Sequence, residues 1–387
     1  MRNWMVLIAI CLTVACAPVG APSASPAGSS SATVAAASAT PTASIIPTST
    51  FTMPADPNMY EFFADQGSLI AYSSKDTPAP YDSKLQRADP ATNTWRTFYQ
   101  TDADFIQMHV AAGRMGLFEY REPPQGAGAF SVKIVVVDLN TGVPSAIDSY
   151  EMSAATYRGG GGAPRRPWSG LALGTDRIAW TRLIEGPNGS WRGELAFAPL
   201  SDPARKTVVA SSIEWVAPLA IDSTRLVYVL GGKTEDELHV RDLASGADAI
   251  VARAAVGNTA VIGSPGMDYA VVVGNWAVWP ANDPSQPTKG TPAINATIHA
   301  LDLATGTERA FDAGGTYCPR VTAGSRYVAW YCGSLAEPNG RLLDAATLQP
   351  MTSLLPSVGV GVIASGDGLI WFRPPPGTRE VTLFRPR

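Results

Sequence analysis

The side chains that could do chemistry in this 387-residue chain are few and scattered. Its three histidines are His109, His239 and His299, and their placement does not form a metal site. His239 and His299 each lie three residues before an aspartate, Asp242 and Asp302, so they read as one structural position used twice. No Gly-x-Ser-x-Gly elbow is present, and Gly159–Gly162 has no Gly-Lys-Ser/Thr after it to cradle a phosphate. No catalytic residue, cofactor or metal is therefore expected, although acids from separate segments can meet in a fold without any local motif. Recognition chemistry is better represented. Arg158, Gly159–Gly162, Arg165, Arg166 and Trp168 make a basic, glycine-rich segment with an aromatic end. Arg121, Glu122, Trp191, Arg192, Asn282 and Asp283 are of the same kind, and Arg and Trp commonly anchor interfaces. The competing reading is of solvated loops with tryptophans packed in the core.

The four cysteines divide by position. Arg2 and the apolar run from Trp4 to Val14 make an export signal of residues 1–16, too short to span a bilayer. Cys16 after Thr13-Val14-Ala15 resembles a bacterial lipobox, in which the cysteine is lipidated; an ordinary secretory cleavage is the alternative. Residues 17–43 are Ala, Ser, Pro, Thr and Gly without charge, a flexible tether rather than a core. Cys318 and Cys332 are both seven residues from Ser325, so a hairpin turning there brings them face to face. In an exported protein that predicts a disulfide, with two free thiols or a metal pair as alternatives.

These residues need a scaffold, and a repeat supplies it. A small apolar run ending in an aromatic recurs at Tyr72, Phe118, Trp180, Tyr228, Trp279, Trp330 and Trp371, spaced 46, 62, 48, 51, 51 and 41 residues apart. A period near fifty built from strands and turns predicts a β-propeller over residues 44–387, with seven four-stranded blades or, alternatively, six. In the fourth copy, Pro218–Ile221, Arg225–Leu230, Glu237–Arg241 and Ala249–Arg253 read as four strands. Asp242-Leu243-Ala244-Ser245-Gly246 turns the last pair, as do Asp138–Gly142 and Asp302–Gly306, with looser copies at Asp89 and Asp344. The seventh copy has room for only three strands, so Ser44–Met53 is expected to close the ring as its outer strand. His109, beside an inner strand, is placed to line the channel.

Arg177 to Trp180, Arg225 to Tyr228 and Arg326 to Trp330, with the aspartate turns, resemble TolB-like propeller repeats across roughly residues 56–387. The resemblance implies the propeller. The six blades and additional N-terminal domain of TolB itself are not evident.

Propeller connectivity puts first-to-second and third-to-fourth turns on one face. The long segments, Glu119–Phe130, Met152–Trp168, Glu185–Gly193, Arg253–Met267 and Pro280–Ala293, all fall on the other. A net charge of −4 without a basic stripe argues against a nucleic-acid partner. The expected protein is exported and anchored outside the cytoplasm, at the cell surface or in the periplasm. It binds a protein, peptide or glycan at its long-loop face. The alternative is a glycoside- or lactone-acting hydrolase or lyase with channel-facing carboxylates.

Overall fold

The computed structural model describes residues 45–52, 59–74, 81–121, 129–153, 170–186, 190–255, 267–282, 296–313, 321–332, 339–351, 361–366, 368–373 and 380–386. β1 (Ile45–Thr52) precedes blade 1, which is β2 (Met59–Asp65), β3 (Ser68–Ser73), β4 (Ser83–Asp89) and β5 (Thr94–Thr101). Blade 2 is β6 (Asp104–Ala111), β7 (Arg114–Arg121), β8 (Ala129–Asp138) and β9 (Pro144–Ser153). Blade 3 is β10 (Leu171–Leu173), β11 (Arg177–Glu185), β12 (Trp191–Pro199) and β13 (Thr207–Ser212). Blade 4 is β14 (Trp215–Ile221), β15 (Arg225–Gly231), β16 (Glu235–Asp242) and β17 (Asp248–Ala255). Blade 5 is β18 (Val271–Val273), β19 (Trp276–Asn282), β20 (Ala296–Asp302) and β21 (Glu308–Asp312). Blade 6 is β22 (Val321–Ala323), β23 (Tyr327–Cys332) and β24 (Asn339–Asp344), with a single bridge between Leu343 and Pro350 beside β24. Blade 7 is β25 (Gly361–Ser365), β26 (Gly368–Arg373) and β27 (Glu380–Pro386), completed by β1 in the order β25-β26-β27-β1.

Each blade is an antiparallel meander, and the first strands of successive blades touch from β2 round to β25 and back to β2. The result is a seven-bladed β-propeller. The only helical turn among the described residues is a 3-10 turn at Met267–Tyr269. Short apolar runs become second strands because both of their faces meet neighbouring blades. Ile70, Leu117, Trp180, Val227, Val278, Trp330 and Ile370 are all essentially buried. Outer strands are more exposed, as in β13 and β17. Five outer strands carry one extra residue: Thr48, Phe98, Ile147, Val209 and Val251. Such bulges bend an edge away from further pairing.

Ring closure at β1 follows the sequence expectation. Phe51 is buried against Phe62 and Trp95. The Trp95 indole donates to Thr52 O at 2.9 Å.

One register differs from expectation. Equal spacing about Ser325 would set Val321 opposite Ala329, but it stands opposite Trp330. The Gly324 amide donates to Tyr327 O, which centres the turn between Ser325 and Arg326, half a residue further on. Cys318 lies outside the described residues, and Cys332 pairs through its backbone with Asn339.

The short-turn face is stitched by a repeated rule. Asp138 Oδ1 accepts from the Asn140 and Thr141 amides and the Thr141 hydroxyl, at 2.8–3.0 Å. Asp242 and Asp344 repeat the set with Ser245 and Thr347. Between blades, Arg87, Arg114, Arg225 and Arg309 donate to carbonyls of the next blade's turns, at Leu139, Thr175, Gly274 and Thr347 (2.8–3.0 Å).

Candidate functional site

The opposite, long-loop face is built differently where blades 1 and 2 meet. Of eight buried polar or charged residues among those described, Ser73, Ser74, Ser83 and Glu119 stand at the long-loop ends of β3, β4 and β7. Buried polar groups are costly unless partnered, so their concentration at one seam marks a specialised place. Ser83 donates to Ser74 within blade 1 at 3.0 Å, whereas two tyrosines reach across the seam. The Tyr72 hydroxyl on β3 donates to Asp104 Oδ1 at the start of β6, at 2.5 Å. The Tyr99 hydroxyl on β5 donates to Glu119 on β7. Phe105 lies between them, stacked on Tyr99 at 5.8 Å and tilted against Tyr72 at 5.3 Å.

Arg121 closes the cluster. Its Nη2 lies 2.6 Å from Asp102 Oδ1, donates to the Thr101 hydroxyl at 3.1 Å, and is 4.0 Å from Glu119 Oε2. Beside it, Asp82 joins Lys84 at 2.7 Å and Gln100 at 2.6 Å. Burial, and then the facing carboxylates Asp104 and Glu119, push Tyr72 and Tyr99 far above the usual phenol range. Both stay protonated and serve as fixed donors rather than as bases. The seam therefore offers directional donors, acceptors and one guanidinium, which suits recognition.

Of the residues expected from sequence, Arg121, Trp191, Asn282 and His109 are on described strands. Arg121 is at the long-loop end of β7, already held by Asp102. Trp191 begins β12 and Asn282 ends β19, opposite Glu185 and Ala296. All three are strand ends rather than loop residues, because these hairpins run further than their polar sequences suggest. Arg158, Arg165, Arg166, Trp168 and Asp283 lie outside the described residues, as does Cys16.

His109 is on β6, opposite Gly116. That is five residues from the Asp104 end, about 15 Å at strand spacing, so it is well separated from Arg121. Its Nδ1 accepts from the Leu173 amide of blade 3 at 3.3 Å, and burial pushes its pKa down to about 4.

His239 and His299 occupy equivalent places, as expected. Each stacks on a second-strand aromatic, Tyr228 at 4.8 Å and Trp279 at 5.6 Å. Each places Nδ1 on an outer-strand carboxylate, Asp248 at 3.1 Å and Glu308 at 2.5 Å. Among the described residues, no group of three or more His, Cys, Asp or Glu is placed to hold a metal.

Sequence reading missed Tyr99, Asp104 and Glu119, and took Tyr72 only as a repeat aromatic. One signal was available. Glu119 is the only charged residue that directly follows a repeat aromatic; Ser73, Thr181, Val229, Pro280, Tyr331 and Phe372 occupy the other six positions.

Neither a known protein family nor a curated protein matches the sequence. Solved structures resemble its fold. An acylaminoacyl peptidase from Pyrococcus horikoshii aligns over 85% of this chain with a TM-score of 0.55 at 8% identity. The shared feature is the propeller fold. This chain spans about half of that peptidase, 52%. A manganese-bound oligogalacturonate lyase aligns over 89% of this chain and 97% of its own, with a TM-score of 0.46 at 11% identity. TolB from Acinetobacter baumannii aligns over 82% and 81%, with a TM-score of 0.42 at 14% identity.

Proposed function

We propose that this propeller is a membrane-tethered, extracytoplasmic binding module that takes a protein, peptide or glycan at its long-loop face. The observation that carries the reading is the cross-blade cluster Tyr72–Asp104, Tyr99–Glu119 and Arg121–Asp102 at that face. A buried polar network is costly in stability unless every group is partnered, and its partners here fix one geometry at that face. The described carboxylates are engaged by tyrosines and an arginine, which favours binding over acid–base chemistry. Lipidation at Cys16 and a Cys318–Cys332 bridge complete the proposal, the first supported by the leader sequence and the second by the export that the leader implies.

The test is a thermal-shift screen of residues 44–387 with cell-wall fragments, oligosaccharides and peptides, since a ligand of the native state raises the melting temperature. A shift lost in Arg121→Glu supports the reading. A shift untouched by that change, or cleavage of a sugar or lactone by the purified protein, overturns it. Membrane fractionation of Cys16→Ser and intact mass of the exported protein check the anchor and the bridge.

A further inference from the structure

The outer edges of the blades are a surface distinct from either face of the ring. An outer strand has one row of backbone amides and carbonyls with no strand beside it, and charge, proline or a bulge commonly guards such an edge. Every described outer strand except β13 carries a charge or a proline: Arg96 on β5, Asp148 on β9, Arg253 on β17, Glu308 on β21 and Pro47 on β1. β13, Thr207-Val208-Val209-Ala210-Ser211-Ser212, has neither, and its one guard is the bulge at Val209. Val209 and Ala210 pack against the core between blades 3 and 4, whereas Val208 is 51% exposed. Ile213, directly after the strand, is 67% exposed. These are two of the four large hydrophobics that stand exposed among the described residues.

Opposite charges mark the two ends of this uncharged strand. Arg205 lies two residues before it and Glu214 two residues after it. Among the described residues, neither side chain has an ion pair or a hydrogen bond. Lys206 does, since Asp148 of blade 2 holds it at 3.0 Å. A strand of this length spans about 20 Å, so Arg205 and Glu214 cannot meet within one chain. The pattern is self-complementary when reversed. Antiparallel pairing of two copies of β13 sets the start of each strand beside the end of the other, and brings each Arg205 to Glu214 of the partner subunit.

We propose that the outer edge of β13 is a homodimer interface, to which a second copy of this chain adds its own β13 antiparallel about a two-fold axis. The free backbone groups of both edges are then paired, and the interface is the same patch on both subunits. Val208 and Ile213 gain cross-strand neighbours. One edge-to-edge contact is small, so the dimer is weak and depends on concentration. β13 runs from the short-turn face to the long-loop face, so the two long-loop faces point in opposite directions and both stay open. The interface does not rest on the long-loop cluster.

Sedimentation of residues 44–387, which hold the whole closed ring, tests this. The expected result is a monomer–dimer equilibrium that moves with protein concentration. Arg205→Glu and Glu214→Arg each set like charges together at both ends of the interface. Each should weaken the dimer about tenfold. An equimolar mixture of the two variants restores both opposite-charge contacts and should dimerise as the wild type does. Val208→Lys puts a charge on the edge and should also dissociate the dimer. Circular dichroism checks that each variant is folded before it is sedimented. A wild type that stays monomeric, assemblies larger than a dimer, single charge variants that dimerise as tightly as the wild type, a mixture no tighter than its components, or a dimer untouched by Val208→Lys overturns the proposal.

Discussion

The two faces of this ring satisfy their polar groups in opposite ways. On the short-turn face the partners are local and redundant. One aspartate oxygen takes two or three donors from the next three residues, and an aspartate with Thr or Ser three residues on does so in blades 2, 4 and 6. On the long-loop face at blades 1 and 2, the tyrosine–carboxylate pairs join strands of different blades, and no such repeat makes them. Tyr72 reaches 32 residues along the chain to Asp104, and Tyr99 reaches 20 to Glu119. A repeated local rule makes the same turn wherever its residues recur. A unique cross-blade set fixes one geometry at one place, and such a place can acquire specificity.

The largest expected effect tests how tightly the repeated rim is packed. Gly142 and Gly306 end equivalent turns with φ of 75° and 71°. A Cβ at Gly142 would lie 2.2 Å from Phe98 O, whereas one at Gly306 meets nothing within 4 Å. Gly142→Ala should cost about 3 kcal/mol or more, the left-handed penalty plus overpacking. Gly306→Ala should cost about 1–2 kcal/mol, the conformational part alone. Chemical denaturation of both variants measures the gap; equal losses would mean that the rim is held by turn conformation only.

Acid should attack the inner wall before it attacks the rim. His109 has a folded pKa of about 4 against an unfolded value of 6.5, so the folded state resists the proton. Stability from this group is intact above about 6.5 and lost as pH falls toward 4, up to roughly 3 kcal/mol at 1.36 kcal/mol per unit. The turn aspartates Asp138, Asp242 and Asp302 are held below their ordinary value, chiefly by backbone amide donors. Their contribution is present above 3.8 and lost only below it. Unfolding free energy followed across pH should fall first between 6.5 and 4, and His109→Gln should flatten that segment alone.

The difference between the faces also explains what could be read from sequence. Asp242 to Gly246 announces its turn because donor, acceptor and positive-φ glycine lie within five residues. The strand stretch at Ser44–Met53 stood out as a spare, and it pairs with β27. His239 and His299 were legible by equivalence. The Tyr99–Glu119 pair was not, because nothing local links two residues on different blades. The bulge at Gln107 and Met108, which together oppose Leu117, was equally hidden, since an extra residue in a strand leaves the alternation ambiguous. The pairing of Val321 with Trp330 lies one residue from the one that equal spacing about Ser325 implies, because the turn centre falls between Ser325 and Arg326.

A single partner should be worth more than one of several. In Tyr99→Phe, Glu119 keeps a side chain only 6% exposed, with Arg121 at 4.0 Å as its charged neighbour. The loss should be about 1–3 kcal/mol, the cost of leaving a buried acceptor short of a donor. Thr141→Ala removes one of three bonds to Asp138, and two backbone donors remain. It should cost about 0.5–1 kcal/mol. Similar losses in both would show that the seam is no more demanding than the rim.

The smallest effect bears on whether the rim acts as a ring or as separate stitches. Arg225→Met removes a 2.8 Å bond to Gly274 O and a 3.2 Å contact with Asp222. The freed carbonyl is at an exposed turn, where water replaces the guanidinium, so the loss should be about 0.5–1 kcal/mol. Arg114→Met breaks the equivalent stitch between blades 2 and 3. Well-separated sites add, so independent stitches predict that the double variant loses the sum of the singles. A loss beyond that sum, by more than about 0.5 kcal/mol, would show that opening one seam loosens the other through the closed circuit of blades. That circuit depends on β1, the one strand supplied from the far end of the chain. The coupling should then be strongest for the stitches nearest to blade 7.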